Sequence, residues 1–192
     1  METQYRKMTP EDLRQLQLIQ LEMLLEVDRI CKKRSIQYCV IAGTTLGAVR
    51  HRGYIPWDDD ADVAMLRSEY ERFCQACEEE LDHSRFYLQT HSNTAGYRWG
   101  YGKIRRVGTE FVRKGQEHMT YPTGIFIDIF PLDNVPDHLF IRRIHNIACT
   151  IIRKMQWSAV GAKSGSNVFM RGLYRCLSMI PKNVIFSLYN SL

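Results

Sequence analysis

Four carboxylates within five positions are the residues of this sequence best suited to chemistry. They lie in the stretch GYIPWDDDADVAML, residues 53–66, and apolar residues flank them on both sides. The four are Asp58, Asp59, Asp60 and Asp62. Carboxylates held close together repel one another and raise each other's pKa unless a cation lies between them. The pattern therefore predicts a bound cation, and an all-oxygen ligand set favours a hard ion, Mg²⁺ or Mn²⁺.

A strand that we predict at DADVAML decides which of these carboxylates meet. Because successive side chains of a strand alternate between faces, Asp60 and Asp62 project from one face, and Asp58 lies near it. Asp59 is expected to turn away. We therefore predict Asp58, Asp60 and Asp62 as metal ligands, with Asp60 and Asp62 also catalytic.

Two other interpretations of the acidic stretch remain open. One is a solvated acidic turn without a ligand. The other is a calcium-binding EF-hand loop, whose ligand positions 1, 3, 5 and 12 would be Asp58, Asp60, Asp62 and Glu69. Val63 stands where that loop needs glycine, and Gly53 and Pro56 interrupt the helix that should precede it. The calcium loop is therefore disfavoured.

A fifth aspartate, Asp128, lies in the apolar run GIFIDIFPLD. Burying a carboxylate without a partner costs several kcal/mol. We expect its partner to be the metal held by Asp60 and Asp62, which makes Asp128 a third metal ligand and catalytic carboxylate. The alternatives are a helix cap or an ion pair with an arginine.

Helices and short strands must position these carboxylates. Thr9 as N-cap and Pro10 as first helical residue predict a helix to about Lys33. The run IQYCVIAG predicts a buried strand ending at Gly43, and TTLGAVRHRG predicts a helix ending at Gly53. The acidic stretch thus follows a strand, a glycine turn and a helix.

Beyond the acidic stretch, Ser68 and Glu71 predict a capping box and a helix to about Asp82. Strands are predicted at RFYLQT, at YRWGYGKIRRVGTEFVRK and at TGIFIDIFPLD. The second of these runs predicts a hairpin or two short strands, with a break near Gly108.

The C-terminal part of the chain is helical and basic. A helix is predicted from about Asp137 to Val160, and a further helical segment is interrupted at Pro181. The apolar stripe of the first helix is Phe140, Ile144, Ile147, Ile151 and Met155. Residues 137–192 hold 8 Lys and Arg against Asp137 alone. This asymmetry predicts either peripheral membrane contact through residues 167–192 or helices packed on the protein with a solvated basic face.

Neither a secretion signal nor a membrane span is predicted. The N-terminal stretch METQYRKMTPEDL has no apolar core, and no run of about 18 apolar residues occurs. The six cysteines lie in helical or strand patterns, which favours reduced core thiols over a disulfide framework. We therefore expect a cytoplasmic protein, peripheral to the inner face of the cell membrane if the membrane contact exists.

Two long stretches, IAGTTLGAVRHRGYIPWDDDADVAML and GIFIDIFPLDNVP, closely resemble the LicD family of phosphocholine and related transferases. The fukutin-type enzymes are more distantly similar. The likeness extends from roughly Thr9 to about Val160 and implies an α+β fold, a nucleotidyltransferase-like mixed sheet flanked by helices. From the change in charge along the chain, we predict a catalytic domain in residues 1–136 and a basic helical region in 137–192. Such transferases continue further, so we expect this chain to be a shortened copy.

The resemblance implies transfer of phosphocholine, or a related phospho-alcohol, from a CDP-activated donor such as CDP-choline to a sugar hydroxyl. The acceptor would be a cell-surface glycan or its lipid-linked precursor. Gly43 and Thr44, followed by Asp60 and Asp62, match the glycine–hydroxyl and Asp-x-Asp scheme of nucleotidyltransferase folds, with Asp128 as third carboxylate.

Binding of the diphosphate is expected to use backbone, hydroxyl and cationic groups. The candidates are Gly43, Thr44, Thr45, Arg50, Lys103 and Arg105. In a strand, Lys103 and Arg105 share one face and Arg106 does not. The candidates to stack on cytosine or to contact a quaternary ammonium are Trp57, Trp99 and Tyr101, which as single aromatic residues could equally belong to the core.

Two other functions remain open from the sequence. One is a nucleotidyltransferase that moves a nucleoside monophosphate to a small acceptor. The other is a non-catalytic, membrane-associated module whose aspartates bind a structural cation. No basic face with interleaved aromatic residues is apparent near the predicted strands, so we expect no nucleic-acid partner.

Overall fold

The computed structural model describes residues 8–192. In chain order their elements are α1 (Pro10–Arg34), β1 (Cys39–Val40), α2 (Ala42–His51), β2 (Asp62–Leu66), α3 (Arg67–Glu80), β3 (Phe86–Gln89), β4 (Gly102–Arg106), β5 (Phe126–Leu132), α4 (Leu139–Ser164), α5 (Val168–Ser178) and α6 (Lys182–Asn190).

The five strands form one mixed sheet in the order β1-β2-β5-β4-β3. Strands β2 and β5 are parallel, and the other neighbouring pairs are antiparallel. The α+β class with a mixed sheet and C-terminal helices is confirmed. Among residues 8–192, no helix combines the length and the apolar character that crossing a membrane requires.

Two compact units divide the described chain. The first holds the sheet and α1–α3: the described residues up to Gln89, with Tyr101–Val112 and Pro122–Asp133. The second holds α4–α6: Thr90–Gly100, Arg113–Tyr121 and Asn134–Leu192. The predicted domain boundary after residue 136 stays a prediction.

In the first unit, helices α1 and α3 cover one face of the sheet. Buried apolar side chains from both helices and from alternate strand positions form one cluster there, including Val27, Phe73, Val63, Ile127 and Ile129. Because strand side chains alternate, Asp62 and Asp128 lie on the opposite face. The fold thus separates an apolar face from a polar one.

Helix α1 begins at the predicted residue. Thr9 is the N-cap, and a capping box joins it to Asp12, with Pro10 as the first helical residue. The helix ends one residue beyond the predicted Lys33.

Three predicted boundaries were wrong. Ser68 is not an N-cap, because β2 ends at Leu66 and α3 begins at the next residue, which places Ser68 inside the first turn. Strand β1 ends before Gly43, because Ala42, at φ 49°, already begins α2. The run YRWGYGKIRRVGTEFVRK holds the single strand β4 and no second strand, although the predicted break near Gly108, whose φ is 73°, is confirmed.

All six cysteines are free thiols. Cys31 and Cys77 are buried as predicted, and burial raises the pKa of Cys31 to about 12. Cys39, Cys149 and Cys176 are exposed, so the prediction of core thiols was wrong for these three. Cys39 lies on the edge strand β1, and the other two lie on helix faces that the fold leaves open.

Candidate active site

A row of four polar side chains crosses the sheet on the face opposite the apolar cluster. Strand register aligns Gln89 of β3 with Lys103 of β4, Lys103 with Asp128 of β5, and Asp128 with Asp62 of β2. Residues paired in register project to the same side and lie within reach of one another. We call these four residues the cross-strand row.

The Lys103 ammonium forms an ion pair with the Asp128 carboxylate. Both side chains are buried, 9% and 7% exposed, and the ammonium also lies 3.5 Å from the centroid of the Phe126 ring. Asp128 therefore has a cationic partner within the sheet. The alternative that we named was an arginine, and the structure places a lysine there.

Asp62 is less well compensated than Asp128. Burial, followed by the charges of Asp60 and Asp128, raises its pKa from 3.8 to about 6, and Lys103 opposes this only in part. Its backbone is held firmly: Thr44 Oγ1 accepts a hydrogen bond from Asp62 N at 2.8 Å, and Ile41 N donates to Asp62 O at 3.1 Å. Asp62 is thus anchored through its backbone.

The three aspartates just before β2, Asp58, Asp59 and Asp60, form the acidic loop. Each offers a carboxylate oxygen within 4.8 Å of those of the other two. The prediction that Asp59 turns away was wrong, because β2 begins only at Asp62 and strand alternation does not extend to the loop. Burial and then Asp60 raise the pKa of Asp58. The same causes, burial first and then Asp58 and Asp60, raise the pKa of Tyr54.

Two buried glutamines of α1 hold the backbone of the acidic loop. Gln17 Nε2 donates to Ile55 O at 3.2 Å and to Asp58 O at 3.1 Å. Gln20 Nε2 donates to Asp59 O at 2.9 Å and to Phe126 O at 3.2 Å. Sequence reasoning missed both residues. The available signal was two amide side chains, three positions apart, within the apolar stripe of a helix.

The first turn of α2, which directly follows β1, supports the acidic loop from another side. A Cβ on Gly43 would lie 2.5 Å from Asp58 Oδ2, so only glycine leaves room for that carboxylate. Thr44 accepts from Asp62 N and does not use its own hydroxyl proton in that bond. Thr45 Oγ1 donates to Val40 O at 2.5 Å, which commits its hydroxyl donor to the fold.

The predicted cations occupy three different settings. Arg50 is exposed in the last turn of α2 and forms no ion pair with any residue from 8 to 192. Lys103 is paired with Asp128. Arg105 is buried and donates to Gln89 Oε1 and to Gly124 O, both at 2.6 Å. Arg105 shares a face with Lys103, since both lie over the Phe126 ring.

The carboxylate oxygens of this site are suitable ligands for a hard divalent cation. The clustered ligands are the carboxylate oxygens of Asp58, Asp59 and Asp60, and the cluster does not include the predicted ligands Asp62 and Asp128. Hard cations of the Mg²⁺ class prefer such oxygen ligands. Burial first, and then the neighbouring carboxylates, raise the pKa of Asp62 and of Asp58. A bound cation would relieve this repulsion.

A model of the family described as LicD/FKTN/FKRP, nucleotidyltransferase domain, matches residues 35–154. The range contains the turn, the acidic loop and the cross-strand row. Over 127 residues the chain is 37% identical to the lipopolysaccharide cholinephosphotransferase LicD of Haemophilus influenzae, an alignment that covers 65% of this chain and 46% of the relative. It is 26% identical over 119 residues to an uncharacterized protein of Rickettsia prowazekii, RP689, covering 62% and 41% respectively. The chain thus spans less than half the length of these relatives.

Proposed function

Because the chain belongs to the LicD family, we propose that it transfers phosphocholine or a related phospho-alcohol from a CDP-activated donor to a sugar hydroxyl. The acceptor in this proposal is a cell-surface glycan or its lipid-linked precursor, as the lipopolysaccharide in the relative's name suggests. One structural observation carries the proposal: Asp62 is paired in register with Asp128 directly after three clustered carboxylates. CDP-choline is the first donor to test.

The reaction joins the acceptor oxygen to the phosphorus that carries the alcohol and breaks the bond between that phosphorus and the bridging diphosphate oxygen. CMP leaves with the bridging oxygen. Asp58, Asp60, Asp62 and Asp128 would hold Mg²⁺ or Mn²⁺, and Asp59 lies close enough to contribute. A bound divalent ion supplies charge neutralisation at the phosphoryl oxygens.

The remaining residues have separate roles in this proposal. Asp60 accepts the proton of the attacking hydroxyl. Gly43 lets the backbone approach the diphosphate, and the Thr44 hydroxyl donates to it. Lys103 and the exposed Arg50 contribute positive charge. Arg105 is a positioning residue, because its guanidinium already donates hydrogen bonds to Gln89 Oε1 and to Gly124 O.

The exposure and position of Trp57 favour a donor that carries a quaternary ammonium group. Its side chain is 71% exposed although it directly precedes the acidic loop. An indole face next to carboxylates attracts a cation that cannot donate hydrogen bonds, which describes the trimethylammonium of choline. Because the donor is a CDP-activated compound of intracellular metabolism, we place the reaction in the cytoplasm.

The test is incubation of the purified chain with labelled CDP-choline, CDP-ribitol or CTP, each with and without Mg²⁺. Metal-dependent release of CMP from a CDP-alcohol in the presence of acceptor glycan supports the transferase. Release of pyrophosphate from CTP instead would identify a nucleotidyltransferase. Metal binding without release of either product would leave a cation-binding module and refute the proposed reaction.

A further inference from the structure

Helix α4 presents an uncovered apolar stripe along its first half. The stripe consists of Phe140, Ile144, Ile147 and Ile151, whose exposed fractions are 65%, 52%, 61% and 53%. The periodicity of these residues predicts a helix that buries them. The structure buries instead the following positions, Ile152 and Met155, which pack in a small cluster with Ile185. We call the four exposed residues the α4 stripe.

The α4 stripe is narrow and continuous. At about 100° per residue, its four side chains fall within roughly 60° around the helix axis and extend over about three turns. Leu139 and Ile141 beside it are also exposed, at 71% and 52%. Isolated exposed apolar residues are ordinary on a protein surface, but a contiguous patch of this kind indicates a contact surface.

The charges around the α4 stripe have one sign. Arg143 and Lys154 lie along the same edge of the stripe in the helical projection, and both are exposed. Helix α4 contains five Lys and Arg and no acidic residue. After Asp137 no acidic side chain occurs to the end of the chain. The contact partner should therefore be both apolar and anionic.

We propose that the α4 stripe docks on an anionic membrane surface, with its apolar side chains among the acyl chains and Arg143 and Lys154 at the headgroups. An amphipathic basic helix binds in this way, lying in the interface without spanning the bilayer. A second copy of this chain would have to meet these cations with acidic side chains from outside its C-terminal segment, because no acidic residue follows Asp137. An anionic membrane supplies negative headgroups and acyl chains together.

This location differs from the membrane contact predicted for residues 167–192. Within that segment, Tyr174, Ile185 and Phe186 are buried in the second unit, so α5 and α6 are partly committed to packing. Val168 and Phe169 at the start of α5 remain exposed, at 76% and 79%, and extend the apolar surface of the same unit. The inference does not depend on the transfer reaction.

Co-sedimentation of the full chain with vesicles tests the proposal. One set of vesicles contains equal parts of phosphatidylcholine and phosphatidylglycerol, and the other is pure phosphatidylcholine. We expect binding to the anionic vesicles, weaker binding at physiological than at low salt, and little binding to the neutral ones. The Phe140→Ser/Ile147→Ser variant should bind at least about tenfold more weakly. The matched control is Leu18→Ser/Leu25→Ser on exposed positions of α1, which should bind as the parent does.

Charge reversal provides a second, independent arm. Arg143→Glu/Lys154→Glu should weaken binding by about 25-fold or more, since each basic residue near an anionic surface contributes roughly a factor of five. Arg14→Glu/Lys32→Glu on α1 is the control of equal charge change. Parent-like binding of either stripe variant would overturn the proposal. So would a loss of thermal stability in Phe140→Ser/Ile147→Ser typical of a buried site, or a dimer that dissociates on this substitution while the parent ignores vesicles.

Discussion

The cross-strand row and the acidic loop approach each other at Asp62, but their negative charges are compensated differently. In the row, strand register fixes each side chain, and Lys103 neutralises Asp128 within the sheet. In the loop, Gln17 and Gln20 fix the backbone, and three carboxylates remain clustered. The row supplies its own counterion, whereas the loop would take one from outside in the proposed metal site. Asp62 lies between the two, and burial, followed by the charges of Asp60 and Asp128, raises its pKa to about 6.

The largest expected effect is the loss of activity on substitution of Asp62 or Asp60. Asp62→Asn should lower the rate of transfer by about 10³-fold or more, and Asp60→Asn likewise, because each removes a charged ligand. The fold should survive, and neutralising Asp62 should leave stability unchanged or raise it, since the folded protein disfavours its charged form. Initial rates of CMP release and thermal unfolding measure both quantities.

Asp133→Asn is the matched control for these carboxylate substitutions. Asp133 is 48% exposed and pairs with Arg67 just beyond the end of β5. An exposed ion pair contributes little, so parent-like activity and stability are expected. Near-parent activity of a folded Asp62→Asn variant would contradict the metal site.

For the cross-strand row we predict a loss of stability, because substitution there breaks a buried ion pair. Lys103→Met leaves Asp128 buried without its counterion and should lower the free energy of unfolding by about 3–5 kcal/mol. Adding Asp128→Asn should recover much of that loss, because the uncompensated charge is then gone. Urea unfolding of both variants measures the difference. If the double variant were no more stable than Lys103→Met, the ion pair would not be the cause.

The contact between the turn and the acidic loop gives a smaller effect. Gly43→Ala would place a Cβ 2.5 Å from Asp58 Oδ2 and should displace that carboxylate. We expect activity to fall by about 10- to 100-fold with modest loss of stability. Gly53→Ala is the control, because a Cβ there meets nothing within 4 Å. Equal rates for the two variants would show that the position of Asp58 does not matter.

The sequence predicts what depends on local pattern. Thr9 and Pro10 locate the start of α1 through capping chemistry. The apolar runs around Asp62 and Asp128 predict two strands, since alternation is a property of neighbouring residues. The error at Asp59 arose because the strand was begun two residues too early. The alternation of faces holds only within a strand, and Asp59 lies in the loop before it.

The sequence did not predict the contacts that depend on strand register, nor which helix faces are covered by other parts of the protein. Lys103 and Asp128 are 25 positions apart in the chain. They meet only because β4 pairs antiparallel with β5. The clamp by Gln17 and Gln20 likewise joins residues about forty positions apart, and a polar residue in an apolar stripe indicates only that some partner exists. Periodicity predicts helix α4, but it cannot tell whether Phe140 and Ile147 face a core or solvent.

The smallest expected effect is the dependence of stability on pH at Asp62. Its pKa in the folded protein, about 6, lies above the ordinary 3.8, so the folded state holds a proton that the unfolded chain has released. The resulting stabilisation is fully present below pH 3.8 and is lost as the pH rises through about 6. After allowance for solvent screening of this half-buried group, the loss should be about 1–2 kcal/mol.

Urea unfolding of metal-free protein from pH 4 to pH 7 measures this loss, and Asp62→Asn supplies the reference curve without the titrating group. The parent should lose stability relative to Asp62→Asn as the pH rises through about 6. Because a bound cation favours ionised carboxylates, Mg²⁺ should stabilise the parent at pH 7 much more than at pH 5. Parallel curves for the two proteins would mean that the neighbouring charges are already offset. The acidic loop would then need no external cation, and the contrast with the cross-strand row would disappear.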